Sequence, residues 1–184
     1  MPGVAELSGG DPEAEVLENA RMKARAVGRA GPVAAGDPPP LPVAEASSGA
    51  VPPATPPARV TIACDTDVVL DGKALGKPGD EREAREYLDR MSGRPHEVLS
   101  GLVVLWDGEE RSGLERTTVV FKDLSEAEKE RYVRFGEWEG RSGGYAIQTL
   151  GSTLVERLEG SVSNVVGLPV GLLVELAPEL LGRG

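Results

Sequence analysis

This chain is nearly devoid of cysteine and histidine, the thiol nucleophile and the commonest general base. It has one cysteine, Cys64, and one histidine, His96. A single cysteine excludes an internal disulfide and any cysteine-rich zinc site. Cys64 lies in an apolar, β-branched run, where a cysteine reads as a small core residue rather than a nucleophile. His96 follows Pro95 at the start of a predicted strand, and no Gly-x-Ser-x-Gly motif occurs. Nucleophilic catalysis is therefore set aside, and His96 reads as a hydrogen-bonded structural residue. Aromatic residues make up only 4% of the chain. Positive charge is short too: 20 Lys and Arg stand against 30 Asp and Glu, a net charge of -10. Such a chain lacks the basic face that a nucleic-acid partner needs. A polyphosphate stays open to it if a cation and a few basic residues gather at one site. No run of about eighteen apolar residues exists, so no membrane span is predicted. The opening residues are rich in Gly, Glu and Pro and lack the apolar stretch of a secretory signal, which makes the cytoplasm the expected address.

What is present alternates between strands and helices. Asp11 and Pro12 suit the start of a helix that runs to about Val27, with Leu17, Ala20, Ala24 and Val27 as its apolar stripe and Lys23 beside it. Residues 31–58 then break every pattern, holding nine of the fifteen prolines and no aromatic residue. This segment has little to bury and reads as a flexible insertion within a single domain spanning 1–184. Val60 to Cys64 form a short buried strand. A second helix is predicted from Glu81 to Met91, a strand from His96 to Trp106, another from Thr117 to Phe121, and a third helix from Ser125 to Phe135. A glycine-rich loop, Gly140 to Gly144, precedes a strand near Thr153 to Leu158 and a last helix opened by Pro169. This pattern is that of an α/β protein with a mixed sheet flanked by helices.

Chemistry concentrates in Asp65-Thr66-Asp67-Val68-Val69-Leu70-Asp71-Gly72, closed by Leu75-Gly76-Lys77-Pro78. On an extended chain Asp65 and Asp67 point one way and Thr66 the other. Asp71-Gly72 is a hairpin turn pair. Gly72 to Lys77 is one residue too short for a phosphate-binding P-loop, and Pro78 stands where a hydroxyl residue is required. What remains is hydrolysis run by a metal and carboxylates. A polyphosphate attacked by water needs its charge screened, the water oriented and a proton taken away. Asp65 or Asp67 offers oxygen to magnesium or manganese, while Lys23 and Lys77 offer point charges to phosphate. Taken singly, Lys23 is equally a solvated helix lysine and Asp67 the start of a loop.

Several ordered motifs then carry a resemblance. Asp65-Thr66, Leu75-Gly76-Lys77-Pro78, Ser92-Gly93-Arg94-Pro95-His96-Glu97-Val98, Gly143-Gly144-Tyr145-Ala146-Ile147-Gln148, Glu159-Gly160-Ser161 and Asn164-Val165-Val166-Gly167-Leu168-Pro169 occur in this order. The chain resembles the Maf family, septum-formation proteins that are nucleoside triphosphate pyrophosphatases, from about Glu6 to Leu181. The resemblance implies a long mixed sheet with two lobes around a central cleft. It implies hydrolysis of a nucleoside triphosphate to the monophosphate and pyrophosphate with a divalent metal, Mg2+ or Mn2+, and pairing as a homodimer. By motif position Asp65 matches the proton acceptor, and Lys23 and Lys77 match substrate-binding lysines. Glu6 matches an acidic residue near the metal, alongside Asp65. Thr66 and Gln148 match positions tied to base choice in the branch that acts on dTTP and UTP.

The departures from the family pattern are as informative. Its opening strand and Ser-x-Ser-Pro-Arg-Arg segment have no counterpart before the helix at Asp11. Asp67 replaces an aliphatic residue, and Arg141 stands in place of a lysine, where it still suits phosphate. The favoured expectation is a working pyrophosphatase whose written sequence starts too late. The other reading is a non-catalytic nucleotide-binding or cell-division regulatory protein that lacks the N-terminal phosphate clamp, and the third is a damaged remnant that does not fold.

Overall fold

The computed structural model describes residues 9–29 and 60–182. Glu6 and the expected insertion at 31–58 lie outside them. Helix α1 spans Pro12–Arg29, followed by strands β1 (Val60–Leu70) and β2 (Lys73–Ala74), helix α2 (Glu81–Met91), and strands β3 (Pro95–Trp106) and β4 (Glu109–Phe121). Helix α3 (Glu126–Phe135), strand β5 (Val155–Glu159) and two short helices, α4 (Val162–Val166) and α5 (Val170–Leu176), complete the order.

The helices begin where side chains can satisfy their first amides. The Asp80 carboxylate accepts from the Glu83 N–H at 2.8 Å and opens α2. Ser125 and Glu128 form a reciprocal capping box at the start of α3, and Gly136 closes it in the left-handed conformation. Both hairpin turns of the sheet take positive φ at each central residue: Asp71 and Gly72 between β1 and β2, Asp107 and Gly108 between β3 and β4. That geometry matches the right-handed twist of paired strands.

The fold is α/β, as expected, and its sheet runs β2-β1-β3-β4-β5. The expected mixing of strand directions is corrected: every strand pair among the described residues is antiparallel. The reason lies in β2. This short return strand reverses the chain before α2, so α2 is no crossover between parallel neighbours. Strand β4 is also longer than expected, because its polar first half, Glu109–Arg116, pairs fully with β3. On the side of β1 away from β3, only Val69 and Leu70 are paired by a strand among the described residues.

Helices cover both faces. On one, Val68, Leu70, Val98, Val119 and Phe121 pack with Leu88 and Met91 of α2 and with Tyr132 of α3. His96, Phe121 and Tyr145 meet there edge to face, with ring centroids 4.8–5.3 Å apart. On the other face α1 lays Val16, Ala20 and Ala24 against Val69, Leu99, Ala63 and Val103. The expected stripe ended on Val27, which is exposed instead. From Val16 the buried line advances in steps of four and passes Val27 by.

Candidate active site

Strand β1 carries the predicted site residues Asp65 and Thr66 together with Asp67, and it distributes them to two faces. Asp65 points toward α1 and is buried, and its carboxylate is ion-paired with the Lys23 ammonium. The approach that makes this pair possible is set by Gly101, which lies opposite Asp65 in the β1–β3 ladder. A Cβ on Gly101 would sit 2.5 Å from the Val16 backbone, so only glycine lets α1 rest this low on the sheet. Lys23 follows Val16 by two helical turns, on the flank of the buried line.

Thr66 points to the opposite face and bonds Ser100 of β3, oxygen to oxygen, at 2.7 Å. With Lys77, Arg141, Ser142 and Gln148 it lines a pocket of about 200 Å³, whose apolar wall includes Val68, Val98 and Val165. Tyr145 closes one side of this pocket, and its hydroxyl pairs with His96 Nε2 at 2.8 Å. Burial pushes the His96 pKa down to about 4, so at neutral pH the ring is an uncharged hydrogen-bonding group. That matches the structural role expected of it. Burial also pushes the Cys64 thiol up, which keeps it protonated and in keeping with a packing role.

The structure thus brings Thr66, Lys77 and Gln148 together in one pocket and Lys23 together with Asp65 on the other side of the strand. The pocket lining does not include Asp65 or Lys23. The glycine-rich loop supplies more than its sequence suggested. The Ser142 hydroxyl donates to the Asp67 carboxylate at 2.9 Å and accepts from the Val68 N–H at 3.0 Å. No motif singled out Ser142. The signal was a hydroxyl amid glycines, together with a carboxylate at 67 where an aliphatic residue was expected.

The donor set sets a limit on any metal. Among the described residues no cluster of three or more His, Cys, Asp or Glu could hold an ion. Asp65 and Asp67, neighbours on one face of the strand, turn to Lys23 and Ser142 respectively. The described donors alone do not make a protein cage for a resident metal. They do fit magnesium or manganese carried by a polyphosphate, which takes one carboxylate and fills its other positions with phosphate and water.

The Maf-like protein family profile matches residues 2–180. The chain belongs to this family. Among its curated relatives, a dTTP/UTP pyrophosphatase of Pyrococcus abyssi is 46% identical over 115 residues, covering 62% of this chain and 62% of the relative. One from Deinococcus radiodurans is 46% identical over 120 residues, 65% of this chain and 62% of the relative. One from Clostridium acetobutylicum is 44% identical over 126 residues, 67% of this chain and 61% of the relative. The chain therefore spans about three fifths of the length of the curated relatives it matches. No helix among the described residues is long and apolar enough to cross a membrane.

Proposed function

We propose that this Maf-family chain hydrolyses a nucleoside triphosphate to the monophosphate and pyrophosphate, with dTTP and UTP as the substrate class suggested by the names of its relatives. The observation that carries this reading is the arrangement of β1: a buried carboxylate beside a lysine on one face, and a pocket with two further cations on the other. The base occupies the pocket between Thr66 and Gln148. The triphosphate crosses the edge of β1 past Lys77 and Arg141 toward Asp65 and Lys23. Asp65 orients a water molecule and takes its proton as the water oxygen bonds to the α-phosphorus. The bond from that phosphorus to the α–β bridging oxygen breaks, and pyrophosphate leaves with the electron pair. Lys23, Lys77 and Arg141 face the charge that develops. A divalent cation, Mg2+ or Mn2+, supplies screening of the polyphosphate charge when bound, with Asp65 as its ligand from the described residues and Glu6 as the second proposed one.

The test is pyrophosphate release from a panel of nucleoside triphosphates with magnesium or manganese. Asp65→Asn is expected to lower kcat by about a thousandfold, within the range that general bases supply, while nucleotide affinity stays near that of the native chain. Retained turnover in this variant removes Asp65 from the mechanism. Nucleotide binding by the native chain without pyrophosphate release supports the non-catalytic reading instead.

A further inference from the structure

We propose that Ser142 and Asp67 form a positioning staple that sets the polyphosphate grip of the pocket, an inference that rests on the pyrophosphatase reading above. The loop from Gly140 to Gly144 is fastened to β1 and to the segment that bears Lys77 at successive residues. Ser142 ties it to β1 twice, through the Asp67 carboxylate and the Val68 amide. The Gly143 N–H donates to the Gly76 carbonyl at 2.7 Å. Gly143, at φ +69°, lies so close to Val68 that a Cβ would come within 2.6 Å of its side chain. Gly144 sits over Pro78, 3.1 Å from where its own Cβ would be. These contacts bracket Lys77 between two anchored neighbours, Gly76 and Pro78. They also place Arg141, one residue before the staple, on the wall that Lys77 shares.

Arg141 itself is exposed, and its Nε donates to the Glu137 carbonyl at 2.9 Å. That bond orients the base of the guanidinium and leaves its terminal nitrogens for an anion. A fork of donors is worth most to a polyphosphate when its position is fixed before binding. The hydrogen bond from the Ser142 hydroxyl to a carboxylate is charge-assisted, and therefore of the stronger kind. Ser142 touches neither base nor reacting atoms in this scheme. It acts through Arg141 and Lys77, and its effect falls on the β- and γ-phosphates.

The experiment compares Ser142→Ala with the native chain, using dTTP as substrate and dTMP as competing product. The KM for dTTP is expected to rise about tenfold, the value of one charge-assisted hydrogen bond, with kcat and the dTMP inhibition constant little changed. Asp67→Ala, which cuts the same bond from the strand side, gives the same split. Ser142→Thr, which keeps the hydroxyl, stays near the native values, and Asp67→Asn, which keeps an acceptor but loses its charge, raises the KM less than Asp67→Ala does. In an Arg141→Ala background Ser142→Ala has a smaller effect than in the native chain, because only the part carried by Lys77 remains. An unchanged KM for dTTP in Ser142→Ala, equal weakening of dTTP and dTMP, or additivity with Arg141→Ala overturns the staple while leaving the pyrophosphatase reading intact. A native chain that neither binds nor cleaves any nucleoside triphosphate overturns both.

Discussion

His96 shows how one buried group ties the stability of the pocket to pH. Its ring is shut between Phe121 and Tyr145, and burial holds its pKa at about 4, against 6.5 for the exposed group. Between these values the unfolded chain takes up a proton that the folded chain refuses, so stability is full above pH 6.5 and falls as pH drops toward 4. Urea unfolding of the native chain at pH 7 and pH 4.5 should show a loss of about 2–3 kcal/mol that His96→Gln lacks. An equal loss in the two proteins would mean that His96 does not drive it. The same residue marks what the sequence disclosed. That a lone histidine beside a proline is structural was readable from chemistry alone. Its partner, Tyr145, lies 49 positions away, and no local pattern announces such a pairing. Asp67 behaves likewise: as an isolated departure it resembled the start of a loop, and only the fold supplies Ser142 as its partner.

Among the elements, α2 and α3 were the most legible, because their signals are local. A capping carboxylate or hydroxyl with a glutamate three residues on, followed by apolar residues at helical spacing, specifies a helix within about ten residues. Strand direction was not legible in this way. It depends on which way the chain leaves a turn, and the two-residue β2 was too short to register as a strand. The seating of α1 was also hidden, since it depends on Gly101, far along the chain. Gly101→Ala is expected to destabilise the protein by about 1–3 kcal/mol through overpacking against the Val16 backbone and to lower kcat by lifting Lys23 away from Asp65. Gly171→Ala is the control: nothing lies within 4 Å of its Cβ position in α5, so there the change should stabilise by up to about 1 kcal/mol through helix propensity. Equal unfolding midpoints for the two variants would refute the close-approach argument.

At the scale of the whole molecule, different helices pack on the two faces of the sheet. Ala24 of α1 and Ala63 of β1 share one apolar cluster, so the chain enters and leaves residues 30–59 at the same corner of the fold. Replacing residues 31–58 by a short Gly-Ser connection is therefore expected to keep pyrophosphate release within about twofold, since the free energy of closing a loop changes slowly with its length. A dead variant would show that this segment takes part in the site. The motifs identified the family and its likeness to an α/β protein, but the placement of the predicted site residues on opposite sides of β1 emerges only from packing. Thr66 and Gln148 sit on one side of that strand, Asp65 and Lys23 on the other. On the proposed function, neighbouring positions on a single strand separate recognition from reaction. On that proposal, a lineage built this way can exchange one preferred nucleobase for another by altering the pocket side chains, and the carboxylate and lysine behind the strand pass through that drift untouched.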